Sequence, residues 1–126
     1  MPGPQHRLAV LFDDAAWTED LARSTDAGRR AASEARADYE RHGISLHDLR
    51  PCERHARDGT DLPSCVKVYL PPPAGPFGAV FRLKMLPEGL RLVCLAFGTR
   101  HHPRGSHAPT VYELAHQRLH GRPSAI

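Results

Sequence analysis

The chain has 126 residues, of which 40% are hydrophobic and 25% charged, with a formal net charge of +3 at pH 7. This length and composition predict one globular domain over residues 1–126, with residues 1–6 as a loose terminus. The sequence has no apolar run near the roughly 18 residues of a membrane span and no apolar core of a signal peptide, so we expect a cytoplasmic protein without a membrane partner.

Charge is distributed unevenly along the chain. Residues 1–65 hold 9 Lys and Arg against 12 Asp and Glu, whereas residues 66–126 hold 8 Lys and Arg against only Glu88 and Glu113. A C-terminal half of net charge +6 predicts an anionic partner, with nucleic acid as the leading class. A GC-rich genome would explain the preference for Arg over Lys, but not the scarcity of acids.

The N-terminal half predicts a strand and then a helical hairpin. Residues 7–12, RLAVLF, form a short β-type run, and Asp13 or Asp14 is a suitable N-cap for the helix that follows. Ser24, Thr25 or Asp26 can cap the second helix. This helix should end at Gly43, a residue favoured just after a helix C-terminus. Its alanines at 27, 31 and 35, with Ala32 beside them, recur at helical spacing and predict a close-packed face. Residues 44–49 suit either a helical turn or the start of a strand.

The C-terminal half predicts three strands. Alternation over residues 66–70 puts Lys67 on the face opposite to the neighbouring valines. A second strand spans residues 79–85, with Arg82 on one face and Phe81 on the other. A turn at residues 87–89 leads to the apolar segment LRLVCLAF, which we expect to be a central strand covered on both faces.

An amphipathic helix over residues 109–120 completes the order β-α-α-β-β-β-α. This order predicts an α+β fold in which the N-terminal helical hairpin packs on a small antiparallel sheet, followed by a C-terminal helix. We expect the hairpin to cover the apolar face of the sheet, with the strand cations turned outward on the other face. Three cysteines without a C-x-x-C motif predict reduced thiols.

Two segments of this layout resemble the RelE/ParE toxin superfamily of bacterial toxin–antitoxin systems. Residues 62–70, LPSCVKVYL, are similar to the family's proline followed by a lysine-bearing strand. The more specific signal is the hydrophobic strand that ends in FGTR, residues 97–100, followed by the basic helix VYELAHQRL, residues 111–119. The resemblance is clearest over residues 62–120, and the N-terminal half matches in layout only.

The resemblance implies the toxin of a type II toxin–antitoxin system. RelE-like members are ribosome-dependent endoribonucleases that cut messenger RNA in the decoding site, and they imply a metal-independent nuclease with no cofactor. ParE-like members instead inhibit DNA gyrase without a nuclease site, and degenerate, inactive members also occur. The implied partners are a cognate antitoxin that wraps the toxin and the ribosome with its mRNA, or gyrase in the alternative.

The family's RNA-cutting pattern implies four catalytic residues, namely Lys67, Arg82, Arg100 and Tyr112. The match to Arg82 requires a shorter hairpin than the family's, and without that gap Val80 takes its place. Other cationic side chains of the region are predicted to contact RNA: Lys84, His101, His102 and Arg104. The sequence departs from the family pattern in two places, because Tyr69 replaces a second lysine and residues 101–109 lengthen the loop before the last helix.

Cleavage of RNA by its own 2′-hydroxyl needs a base, an acid and cations that stabilise the phosphorane. Guanidinium groups such as Arg82 and Arg100 form forked hydrogen bonds to phosphate oxygens. A tyrosine has an ordinary pKa of about 10 and needs adjacent cations to act as a base, so the loop histidines are alternative proton carriers. The competing interpretation of Arg82 is a surface salt bridge with Glu88 or Glu113.

A metal site is the other interpretation of the histidines. His116 and His120 are spaced i, i+4 as in H-E-x-x-H zinc enzymes, and Cys52 and His55 form a second ligand-like pair. Gln117 stands where the zinc enzymes carry their glutamate base, and structural zinc takes four ligands. We therefore predict no metal site.

Overall fold

The computed structural model describes residues 6–53, 56–70, 77–102 and 105–121. Apart from His6, the predicted loose terminus lies outside these residues. None of the helices in the described ranges combines the length and apolarity needed to cross a membrane. The fold is α+β, as predicted, and its elements in chain order are β1 (Arg7–Leu8), β2 (Val10–Phe12), α1 (Asp14–Arg23), α2 (Asp26–His42), β3 (Ile44–Ser45), β4 (Arg50–Pro51), β5 (Cys65–Tyr69), β6 (Phe77–Leu86), β7 (Gly89–Thr99) and α3 (Val111–Gly121).

The main sheet has five strands in the order β2-β7-β6-β5-β4. Strands β5, β6 and β7 form the predicted antiparallel meander. The prediction of a purely antiparallel sheet was incomplete, because β2 runs parallel to β7 with Val10 opposite Leu92. The predicted first strand is divided, since β1 pairs with β3 in a separate two-stranded sheet. Residues 44–49, for which the sequence suited either a helical turn or the start of a strand, contain both. The strand is Ile44–Ser45 and a 3₁₀ turn follows at Leu46–Asp48.

The helical hairpin begins and ends at the predicted caps. The Asp13 carboxylate accepts hydrogen bonds from the first N–H groups of α1, and the Thr25 hydroxyl accepts one from Gly28 in α2. The predicted alanine face of α2 is largely confirmed, because Ala32 is buried and Ala31 and Ala35 pack against the core. Ala27 is instead exposed, and Gly28 is buried next to it. Several alanines lie at helical spacing, so composition did not decide which of them face the sheet.

The sheet is covered on both faces. One face packs against α1 and α2 in a core that includes Val68, Phe81 and Leu92. The other packs against α3 in a second core that includes Val80 and Leu114. β7 contributes to both cores, so the prediction of a doubly covered strand is confirmed. The strand cations therefore share their face with α3 instead of lying on a fully open surface.

A buried ion pair joins α1, β7 and α3. The Arg118 guanidinium donates to both oxygens of Asp20 at 2.7 and 2.8 Å and to the carbonyl of Leu95 at 2.7 Å. The N–H of Phe97 donates to Asp20 Oδ2 at 2.9 Å, and Asp20 is only 3% exposed. β2 ends at Phe12, opposite Cys94. The ion pair thus provides hydrogen-bond partners for the carbonyl of Leu95 and the N–H of Phe97 in β7, beyond the residue at which the neighbouring strand β2 has ended.

Gly43 is a position that only glycine suits. It follows α2 with φ +66° and ψ −166°, and a Cβ there would lie 2.5 Å from the carbonyl oxygen of Leu8. We expect Gly43→Ala to lower the free energy of unfolding by about 2 kcal/mol or more, from backbone strain plus the clash. Urea denaturation of Gly59→Ala is the matched control, because Gly59 also has positive φ but no atom within 4 Å of the added Cβ. Equal losses in the two variants would contradict the assigned contact.

Candidate functional site

Three of the four predicted catalytic residues lie together, around a tyrosine that was not predicted to be part of the site. Arg100 Cζ lies 4.3 Å from the ring centroid of Tyr69. Lys67 Nζ lies 5.6 Å from the same centroid and 5.1 Å from that of Tyr112. We call Lys67, Tyr69, Arg100 and Tyr112 the cation–tyrosine cluster. Arg50 Cζ, at 5.4 Å from the Tyr69 centroid, lies at its margin.

The strand register brings these side chains to one face. Lys67 pairs with Val80 and Tyr69 with Gly78, and Val80 belongs to the core under α3. A Cβ on Gly78 would lie 3.1 Å from Arg100 Cγ. Arg100 therefore crosses the sheet over a glycine to reach Tyr69 on the neighbouring strand. Gly78 and Tyr69 both belong to the candidate site without having been predicted there, although alternation along β5 already put Tyr69 on the face of Lys67.

Arg82 lies on the same face but outside the cluster. It pairs with Cys65, which is buried in the core under α3, and it is four residues from Gly78 along β6, or about 13 Å in an extended strand. The predicted alternative to Arg82, Val80, is fully buried and offers no polar group. Arg82 and Arg100 therefore share a face, as the nuclease interpretation requires, without touching.

Three cations on this face, Lys67, Arg82 and Arg100, have no carboxylate partner among the described residues. Lys67, Arg82 and Arg100 form no ion pair there, whereas Arg36 and Arg118 on the other elements each bind carboxylates. The salt bridge of Arg82 with Glu88 or Glu113 is thus absent. The Nε of Arg100 is buried without a hydrogen-bond partner in the described part of the chain. Cationic side chains that lack a carboxylate partner, one of them with a buried N–H group left without an acceptor, favour the binding of an anionic ligand.

The surroundings of Tyr112 hold the pKa of its hydroxyl above the ordinary value for tyrosine. Its pKa is raised to about 12, chiefly by burial and secondly by the neighbouring Tyr69, while Arg100 acts in the opposite direction. Tyr112 needs adjacent cations to act as a base near neutral pH, and here the loss of solvent outweighs the nearby charge of Arg100. At neutral pH its hydroxyl keeps its proton.

The other predicted RNA contacts are only partly near the cluster. Lys84 lies two residues beyond Arg82 on the same face of β6, and Arg104 lies outside the described residues. His101 is exposed. His102 is held in place, with Nδ1 2.9 Å from the carbonyl of Ala108 and Nε2 2.8 Å from the Glu113 carboxylate. The ring of His102 therefore joins the carbonyl of Ala108 to the Glu113 side chain of α3.

The histidines of α3 hold a loop. The N–H of Asp61 donates to Nδ1 of His116 at 3.0 Å, and Nε2 of His120 lies 2.8 Å from the carbonyl oxygen of Asp61. Both imidazoles thus bind the main chain of one residue. In the described ranges no three His, Cys, Asp or Glu side chains are grouped to hold a metal ion, and His55 lies outside these ranges.

Comparison of the chain with protein-family models, with curated proteins and with solved structures finds no match. The resemblance to the RelE/ParE superfamily therefore depends on the two segments quoted above. The residues in these segments are the ones that meet in space, since Lys67 belongs to the first, and Arg100 and Tyr112 to the second.

Proposed function

We propose that the chain is the toxin of a type II toxin–antitoxin system and acts as a RelE-like, ribosome-dependent mRNA endoribonuclease. The observation that carries the proposal is the meeting of Lys67, Arg100 and Tyr112 on one face of the sheet, with neither cation bound to a carboxylate in the described residues. A phosphate is the anion that such a site suits best, because guanidinium stays charged and binds two phosphate oxygens at once.

The cation–tyrosine cluster offers a general acid for the cleavage, but its general base would have to come from outside the cluster. Lys67 and Arg100 would neutralise the phosphorane, and the protonated Tyr112 would donate to the leaving 5′ oxygen. The base that removes the 2′ proton is then a histidine of the loop, with the exposed His101 as the candidate. The ribosome would position the message, because a small group of cations offers no groove that reads bases.

One observation favours a second candidate, a ParE-like inhibitor that binds without cutting. Tyr69 stands in place of the family's second lysine, and Tyr112 with a pKa of about 12 does not serve as a base. An inhibitor needs only the shape and charge of the same face. The two candidates differ in whether the Tyr112 hydroxyl matters.

Tyr112→Phe tests this difference. On ribosomes carrying an end-labelled message, we expect the wild-type chain to leave products ending in a 2′,3′-cyclic phosphate. We expect Tyr112→Phe to slow cleavage by about 10²–10⁴-fold, as general-acid loss does. The matched control is Tyr39→Phe, since the Tyr39 ring packs against Phe81 under the helical hairpin, away from the cluster. Growth arrest without message cleavage, retained by Tyr112→Phe, would favour the inhibitor.

Binding should also depend on salt. Each phosphate bound to a cation releases counterions, so three contacts on single-stranded RNA predict a slope of about −2 in log K against log[salt]. Fluorescence anisotropy with a labelled message fragment at 50 to 300 mM salt measures this slope. Removing the charge of Arg82 should make it less steep by about 0.7, whereas a flat dependence in the wild-type chain would remove nucleic acid as the ligand.

A further inference from the structure

Two cysteines lie opposite each other where β4 meets β5. Arg50 pairs with Lys67, and Pro51 with Val66, so the antiparallel register continues to Cys52 opposite Cys65. The N–H of Cys52 donates to the carbonyl of Cys65 at 3.1 Å. Directly opposed residues of an antiparallel pair have Cα atoms about 4.5–5.5 Å apart, which lies within the range of about 4.4–6.8 Å found for disulfides.

Both thiols lie on the same face of the sheet. Cys65 is 4% exposed in the core under α3, and Cys52, which is only partly buried, packs against that core. Both are free thiols. The third cysteine, Cys94, belongs to the core on the opposite face, under the helical hairpin, so the sheet separates it from the other two.

We propose that Cys52 and Cys65 are an oxidative modification site, at which a peroxide converts the two thiols into a cross-strand disulfide. In the first step the Cys52 sulfur attacks one peroxide oxygen, forming a sulfenic acid and releasing one water. In the second, the Cys65 sulfur displaces the hydroxyl from the Cys52 sulfur and a second water leaves. The two sulfurs lose two electrons in total, the peroxide gains them, and the two thiol protons end in the water.

The order of attack follows from exposure. Cys52 is the thiol that a peroxide can reach, and Cys65 is the buried resolving thiol. Burial raises the pKa of Cys52 to about 11 and that of Cys65 to about 12. Because the thiolate is the reactive form, its fraction and the oxidation rate should rise by about tenfold per pH unit from pH 7 to pH 9.

The disulfide would lie beside the cation–tyrosine cluster. β4 has only two residues, and Pro51 has no N–H to donate, so β4 is held weakly to the sheet. Arg50 is two residues from Cys52, and Lys67 two residues from Cys65, and both cations approach the Tyr69 ring. The bond would therefore fasten Arg50 next to Lys67. It forms or fails to form whether or not the chain cuts RNA.

Peptide mapping of the full chain tests the proposal. After treatment with hydrogen peroxide, alkylation of the remaining thiols and trypsin, we expect residues 42–54 and 58–67 as one linked peptide, lighter by two hydrogens than their sum. Residues 92–100, which contain Cys94, should carry the alkyl group. The link should persist in Cys94→Ala and be absent in Cys52→Ala, and it should form faster at pH 9 than at pH 7.

Four results would overturn the proposal. They are a link that includes Cys94, a link between two chains, sulfinic acid on Cys52 with Cys65 still alkylated, and alkylation of all three cysteines after peroxide at pH 9. Circular dichroism of the Cys52→Ala variant shows whether it is folded. The wild-type result decides the proposal independently of that variant.

Discussion

Replacing Arg100 by alanine is expected to slow message cleavage on ribosomes by about 10²–10³-fold, the loss seen when a group that stabilises transition-state charge is removed. The expectation rests on three features of Arg100. It stacks on Tyr69 at 4.3 Å, it forms no ion pair in the described residues, and its Nε is buried without a partner. Single-turnover cleavage with saturating ribosomes is the measurement, because it separates the chemical step from binding.

Two further variants distinguish the effect of the Arg100 guanidinium from the effect of charge alone. Arg100→Lys keeps the charge but loses the planar fork and the stacking, so we expect only partial recovery. Arg30→Ala is the control for net charge, because Arg30 is exposed on α2, away from the cluster. A cleavage rate unchanged in Arg100→Ala would reject the nuclease and leave the inhibitor as the explanation.

Gly78 gives an independent route to the same site. A Cβ at position 78 would meet Arg100 Cγ at 3.1 Å and the carbonyl oxygen of Val68 at 3.0 Å. Gly78→Ala would therefore displace Arg100 without removing its charge. A loss of cleavage in Gly78→Ala that matches Arg100→Ala indicates that the position of the guanidinium matters as well as its charge.

Removing Arg118 is expected to cost about 3 kcal/mol of folding free energy, the lower end of the range for breaking a buried ion pair. The Arg118 side chain is 19% exposed and that of Asp20 is 2% exposed, so the carboxylate left behind would stay buried. In Arg118→Ala, Asp20 would keep only the N–H of Phe97, and the carbonyl of Leu95 would lose its donor. Urea denaturation followed by circular dichroism measures the loss.

The control is an exposed ion pair on α2. Arg29 binds Asp26, and their side chains are 45% and 91% exposed, so Arg29→Ala should cost less than about 1 kcal/mol. The double variant Asp20→Asn with Arg118→Met should be more stable than Arg118→Ala, because it leaves no buried charge without a partner. If Arg118→Ala cost as little as Arg29→Ala, the ion pair would not hold α1 and α3 to β7.

The sequence by itself determined the local structure. Apolar alternation along β5 and β6 predicted which residues face the helical hairpin, because the period of a strand assigns every second side chain to one face. Gly43 predicted the end of α2, and Asp13 and Thr25 were among the candidate N-caps, since each meets a local requirement of a helix terminus. The two segments that resemble the RelE/ParE superfamily also indicated Lys67, Arg100 and Tyr112 as candidate site residues. This prediction did not require the distances among the three residues.

The tertiary structure decided everything that depends on distant parts of the chain. Periodicity does not say that β2 joins β7 in parallel, that Asp20 meets Arg118 across 98 positions, or that Cys52 lies opposite Cys65. The pKa of Tyr112 likewise depends on how deeply the fold buries it, and this burial outweighs the nearby cation that a tyrosine base would need. Alternation assigned Arg82 to the correct face of the sheet. Only the structure showed that Arg100 lies over Gly78, which is four residues from Arg82 along β6.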